Sequence, residues 1–238
     1  MMQSSKSSAS RSQLPYIVGG IILLGVVIVA AIFAYIWFSG GSGQPSTAVS
    51  APTVDASAAN VYHIDPENSE VRFTLTEDLM GQHTTVIGKT NDVAGDVAID
   101  LNTPANSKLG TLRISSRSLA TDNEFRNRAI RGQILQSNQD QFEFIEFTPT
   151  AIEGLPAAVK IGDVLNFKVT GDLKVRDITQ AVTFDVSVTV TSDIQIEGKG
   201  STQVTREQFG LQIPNAPGVA NVSNDVTLEI DFVADKTA

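Results

Sequence analysis

The 238-residue chain contains no cysteine. That excludes a disulfide framework, a thiolate zinc site, a cysteine nucleophile and a lipid-modified lipoprotein cysteine. Histidine is nearly as scarce: His63 and His83 are the only two, which leaves little for imidazole chemistry. Basic residues are few, 17 Lys and Arg against 26 Asp and Glu, for a formal net charge of −9. Lys6 and Arg11 are the only charges before Asp55, so residues 55–238 carry −11. A partner nucleic acid is therefore not expected, because phosphate binding needs a basic face.

Charge is missing altogether between Arg11 and Asp55. Within that stretch Ile17–Phe38 is 22 residues of almost unbroken apolar sequence, about 33 Å as a helix, against about 30 Å for a bilayer core. Tyr16 stands at one edge and Tyr35, Trp37 and Phe38 at the other, at the depth where amphipathic rings settle. Residues 16–38 thus predict a single-pass transmembrane helix. With the cations in residues 1–15 and none beyond, those residues are assigned to the cytoplasm and the C-terminal part to the extracytoplasmic side of the cell membrane. A cleaved signal peptide is the competing reading. It fits less well, since the run exceeds a usual h-region and no A-x-A site follows closely. Residues 39–60 are small and polar with two prolines and one charge. They read as a flexible linker with an end-to-end distance of roughly 25 Å.

From Tyr62 onward the hydrophobic period is two. Val71, Phe73 and Leu75 alternate with Arg72, Thr74 and Thr76, and Val182, Phe184, Val186, Val188 and Val190 alternate with polar residues. Such alternation marks half-buried strands. Short turn-rich connections, among them Gly162-Asp163, Arg176-Asp177 and Ser192-Asp193, favour antiparallel meanders over parallel crossovers. The expected fold is all-β, a single antiparallel barrel of about eight strands, with a two-sheet sandwich as the other solution. The inward-facing set is expected to include Phe73, Leu75, Val97, Ile99, Ile114, Phe144, Phe167, Val169, Phe184, Val186, Leu228 and Ile230.

One stretch departs from alternation. Thr121 followed by Glu124 has the capping-box spacing, and Phe125, Ala129, Ile130 and Ile134 form a stripe at helical spacing. This predicts one helix from Asp122 to about Leu135, with Phe125 and Ile130 near one end of the barrel. Arg126, Arg128 and Arg131 ride on it. They read either as a solvated face or as guanidinium forks at a pocket mouth that meet an anionic headgroup.

No catalytic constellation has spacing behind it. There is no H-E-x-x-H and no G-x-S-x-G, Gly198-Lys199-Gly200-Ser201 lacks the full phosphate-loop spacing, and pairs such as Glu143 and Glu146 arise by chance among so many acids. Neither an enzyme nor a metal site is expected.

Several segments, in order, resemble the YceI-like polyisoprenoid-binding domain: Tyr62-His63-Ile64-Asp65 through Val71-Arg72-Phe73, Gly88 with Asp92–Val97, Ser118–Asp122 with Arg126 and Arg128, Val169–Val175 with Ile178-Thr179 and Val182-Thr183-Phe184, and Thr205–Leu211. The resemblance covers residues 61–234. It implies an extended lipocalin-like barrel with an apolar interior that holds an isoprenoid chain, a quinone or another amphiphilic lipid, with no further cofactor. Asn68 and Glu77 stand where many members have histidine, so no histidine-dependent metal or haem role is carried over. Members are commonly secreted without an anchor, so the apolar helix is an addition of this chain. The other reading is a non-catalytic interaction module whose barrel is filled by its own side chains. Ligand identity and oligomeric state are not fixed by the sequence.

Overall fold

The computed structural model describes residues 14–54 and 60–236. The chain divides into two compact units between Tyr35 and Ile36. The first consists of helix α1, Leu14–Ser39, whose last residues belong to the second unit. Its Gly20–Ser39 portion, mean hydropathy 2.8, is long and apolar enough to cross a membrane.

The second unit is a mostly β domain. Its strands in chain order are β1 Asn60–Ile64, β2 Glu70–Leu79, β3 Gln82–Thr90, β4 Val93–Ala94, β5 Asp96–Ile99, β6 Lys108–Leu109 and β7 Leu112–Ser115, followed by helix α2, Glu124–Ala129. Then come β8 Phe144–Glu153, β9 Val164–Val175, β10 Ile178–Val190, β11 Gln195–Thr205, β12 Val219–Ala220 and β13 Asp225–Lys236. Eight of these strands have five or more residues, and the other five have two to four. All pair antiparallel, as the alternation and the short connections predict, in one curled sheet that forms a half-barrel. The β2–β3 hairpin turns on Met80 and Gly81, both at positive φ (53° and 79°), as a two-residue loop must to follow the strand twist.

β13 holds the sheet together by pairing on both sides. It runs along β11 from Thr205↔Asp225 to Gln195↔Asp235, while its other edge pairs first with β2 (Thr227↔Thr74 to Asp231↔Glu70) and then with β1 (Ala234↔Ile64 to Lys236↔Tyr62).

The inward side chains pack as two cores, one towards each end of the long strands. The first gathers Tyr62, Ile64, Val93, Ile99, Ile114, Leu165, Val188, Val190, Ile196 and Ala234. The second gathers Leu119, Ile130, Leu135, Phe147, Val169, Leu173, Val175, Val182, Val204, Phe209 and Val226. Some of the packing sets rings over glycines: a Cβ at Gly88 would overlap the ring of Phe73, and one at Gly198 the ring of Phe232.

Two sequence expectations are corrected. The helix is shorter and differently capped, because Asn123 rather than Thr121 is the N-cap, its Oδ1 accepting from Arg126 N at 3.1 Å. Thr121 Oγ1 instead accepts from the Asn123 amide and contacts Asn127 Oδ1. After Ala129 the helix widens into a π turn, Ile130–Ile134, closed by Leu135 N to Ile130 O at 2.8 Å. Phe144 is the other correction. The register Ile114↔Ile145 and Leu112↔Phe147 turns Ile145 and Phe147 inward, and Phe144 takes the face of Arg113, whose guanidinium lies 5.1 Å from its ring centre.

Candidate ligand-binding site

Between the two cores lies a layer of apolar inward residues that are only half-buried. On β9 Phe167 is half-buried while Leu165 and Val169 on either side are buried. On β10 Phe184 and Val186 are half-buried between buried Val182 and Val188. Leu228 and Ile230 on β13 and Phe73 and Leu75 on β2 share this state. A filled barrel would bury its mid-strand residues at least as deeply as those at its ends. Here the gradient is reversed.

Register aligns this layer across strands. Phe167 faces Val186, Val186 faces Gly200, Gly200 faces Ile230, and Ile230 faces Val71, a single row over β9, β10, β11, β13 and β2. The adjacent row holds Val169 opposite Phe184 and Leu228 opposite Phe73, and Phe184 meets Phe147 edge to face at 5.0 Å. On the opposite face of the sheet the flanking outward positions, among them Arg72, Lys168, Asp185, Lys199, Glu229 and Asp231, line an open recess of about 890 Å³ behind Phe167, Val186, Gly200 and Ile230 of the first row. Sequence reading missed these charges because each, taken singly, is an ordinary outward strand residue. Most of them are paired: Arg72 contacts Glu70, Glu229 and Asp231, and Lys168 contacts Asp185. Hydrogen bonding from Lys89, reinforced by Arg72, outweighs burial and holds the Glu70 carboxyl below its ordinary pKa.

The other expected site residues lie deeper in the cores or on the helix. Ile99 and Ile114 are buried in the first core with Val97 packed against it, and Val169 and Ile130 are buried in the second. Phe125 is half-buried on α2.

The helix arginines are committed to partners. Arg126 donates to Glu77 Oε1 at 2.6 Å and to Asp122 Oδ1 at 2.7 Å. Glu77, on the inward side of β2 beyond Leu75, is only 5% exposed. Arg128 lies 3.9 Å over the ring of Trp37 and donates to its carbonyl, while Arg131 donates to Glu124 and to Gly40 O. The guanidinium groups expected as a solvated face or as forks at a pocket mouth thus meet partners within the protein itself, as partial burial of a charge requires. The histidines are also paired, His63 Nδ1 with Asp96 Oδ1 at 2.6 Å and His83 Nδ1 with Asp78 Oδ1 at 3.1 Å. Among the described residues no group of three His, Asp or Glu is placed to hold a metal ion.

An antiparallel, lipocalin-like half-barrel with an apolar mid-layer defines the class. Residues 62–234 match the YceI-like domain, and the chain belongs to that family. Among curated relatives, a UPF0312 protein of Shewanella sp. (strain ANA-3) is 25% identical over 180 residues, covering 73% of this chain and 88% of the relative. Another from Shewanella oneidensis is 24% identical over 179 residues, with the same coverage. The fold is similar to that of a polyisoprenoid-binding domain from Saccharophagus degradans (TM-score 0.57, 14% identity, 74% of this chain and 98% of that one). It is also similar to Burkholderia cenocepacia BcnA (TM-score 0.55, 19% identity, 71% and 98%).

Proposed function

We propose that the domain is a non-catalytic lipid-binding module that holds a polyisoprenoid, quinone or similar amphiphile along its half-buried apolar layer. The observation that carries this reading is the burial pattern, with Phe167, Phe184, Val186, Leu228 and Ile230 less buried than the inward residues that flank the layer on the same strands, Leu165, Val169, Val182, Val188, Val226 and Ala234. A long apolar chain lying there would remove that surface from water, at about 25 cal/mol per Å². The relative from Saccharophagus degradans, described as polyisoprenoid-binding, supports the ligand class. The apolar helix, with Lys6 and Arg11 before it, supports an anchor in the cytoplasmic membrane with the domain on the extracytoplasmic side.

Val186 provides the test. It sits opposite Gly200 and Phe167 in the layer that is only half-buried. Purified full-length protein should bind a fluorescent polyprenyl probe at micromolar concentration and carry extractable lipid in native mass spectrometry. Val186→Phe should abolish probe binding with the melting temperature nearly unchanged. In a filled core the same change overpacks and costs about 1–3 kcal/mol. No probe binding by wild type, together with a lowered melting temperature in the variant, would replace this reading with an interaction module.

A further inference from the structure

Residues 39–54 have the composition of a free tether, yet in the second unit this segment and the end of α1 before it are held at intervals by charged side chains of the domain. Arg128 stacks on Trp37 and donates to its carbonyl at 2.7 Å. Arg131, itself buried, donates Nε to Gly40 O at 2.9 Å. Six residues on, Glu143 takes Ser46 with both carboxylate oxygens, the amide at 2.6 Å and the hydroxyl at 2.5 Å. Arg113 donates to Ser50 O at 3.2 Å, and Asp96 Oδ2 accepts from Val54 N at 3.1 Å.

The contact surface is shaped as well as charged. A Cβ at Gly132 would lie 2.7 Å from Ser39 O, and one at Gly40 would overlap the backbone of Arg128, so each segment presents a glycine where the other comes closest. Glu143 is only 2% exposed, with Arg117 Nη1 at 3.0 Å from Oε2. A carboxylate this deeply placed needs several donors, and two of those it has come from Ser46.

We propose that residues 36–54 are a docked strap. The domain bears a seat for an extended, small-residue peptide, running from the helix arginines past Glu143 to Asp96, and the chain's own segment occupies it. Arg128 and Arg131 then serve peptide carbonyls rather than a ligand headgroup, and residues 36–54 are a fixed arm on the domain. This is independent of what the apolar layer binds.

Hydrogen exchange on the full-length protein in lipid nanodiscs tests it. In wild type, peptides covering residues 40–54 should exchange at least tenfold more slowly than an unstructured chain of that sequence. Two variants on the strap side leave the barrel's own residues intact: Ser46→Pro removes the amide that Glu143 binds, and Gly40→Val clashes with Arg128. Either should bring exchange over 40–54 towards the free-chain rate while peptides from β9 and β10 stay protected. Free-chain exchange over 40–54 in wild type, or protection there unchanged by both variants, would overturn the proposal.

Discussion

Glu77 and Arg126 show how unequal two halves of an ion pair can be. Arg126 also donates to Asp122 and to Thr121 Oγ1, so Glu77→Ala leaves the guanidinium with partners. Arg126→Ala leaves the Glu77 carboxylate buried on the inward side of β2 without its cation. Removing one member of a buried pair costs about 3–5 kcal/mol when the survivor is uncompensated, and about 1 kcal/mol when other hydrogen bonds remain. Arg126→Ala should therefore lower the melting temperature several times more than Glu77→Ala, and equal losses would show that the two groups are equally compensated. In the sequence Glu77 is only one more acid on an alternating strand. Its partner lies 49 residues away, and nothing in the local pattern of either residue announces the other.

At the scale of elements, period and parity were legible where polar and apolar residues alternate cleanly, as on β2 and β10. They were not legible on β8, where Phe144-Ile145-Glu146-Phe147 is apolar at both parities and only pairing with β7 decides. The helix is a similar case. An apolar stripe from Phe125 to Ile134 cannot distinguish an α-helix from one that opens into a π turn, and Thr121 and Asn123 are equally plausible caps from composition. With the cap now assigned, Asn123→Ala should destabilise the domain by about 1 kcal/mol, read as a shift in its denaturation midpoint. The strap was invisible for a stronger reason: 91 residues separate Arg128 and Arg131 from the carbonyls they hold, and Ser46 is 97 from Glu143.

For the whole molecule, net acidity makes pH a lever. Glu70 is held below its ordinary pKa of 4.5 first by Lys89, and at Glu124 burial pushes the other way but is outweighed by Asn127 and by Arg131 and Arg128. A depressed carboxyl contributes stability that is complete above its unfolded pKa and is lost as pH falls through the folded one. The melting temperature should hold steady on mild acidification and fall progressively below pH 4.5, and Glu70→Gln should reduce that fall. The place of β13 in the sheet has a consequence of another kind. Because β13 supplies the partner edge for β1, β2 and β11 alike, β1 and β2 are joined to the β7–β11 meander only once residues 225–236 are in place. Such non-local pairing is slow to form, so joining the two halves of the sheet is a late step that hangs on the last strand, and a chain cut before Asp225 keeps both halves with no seam between them.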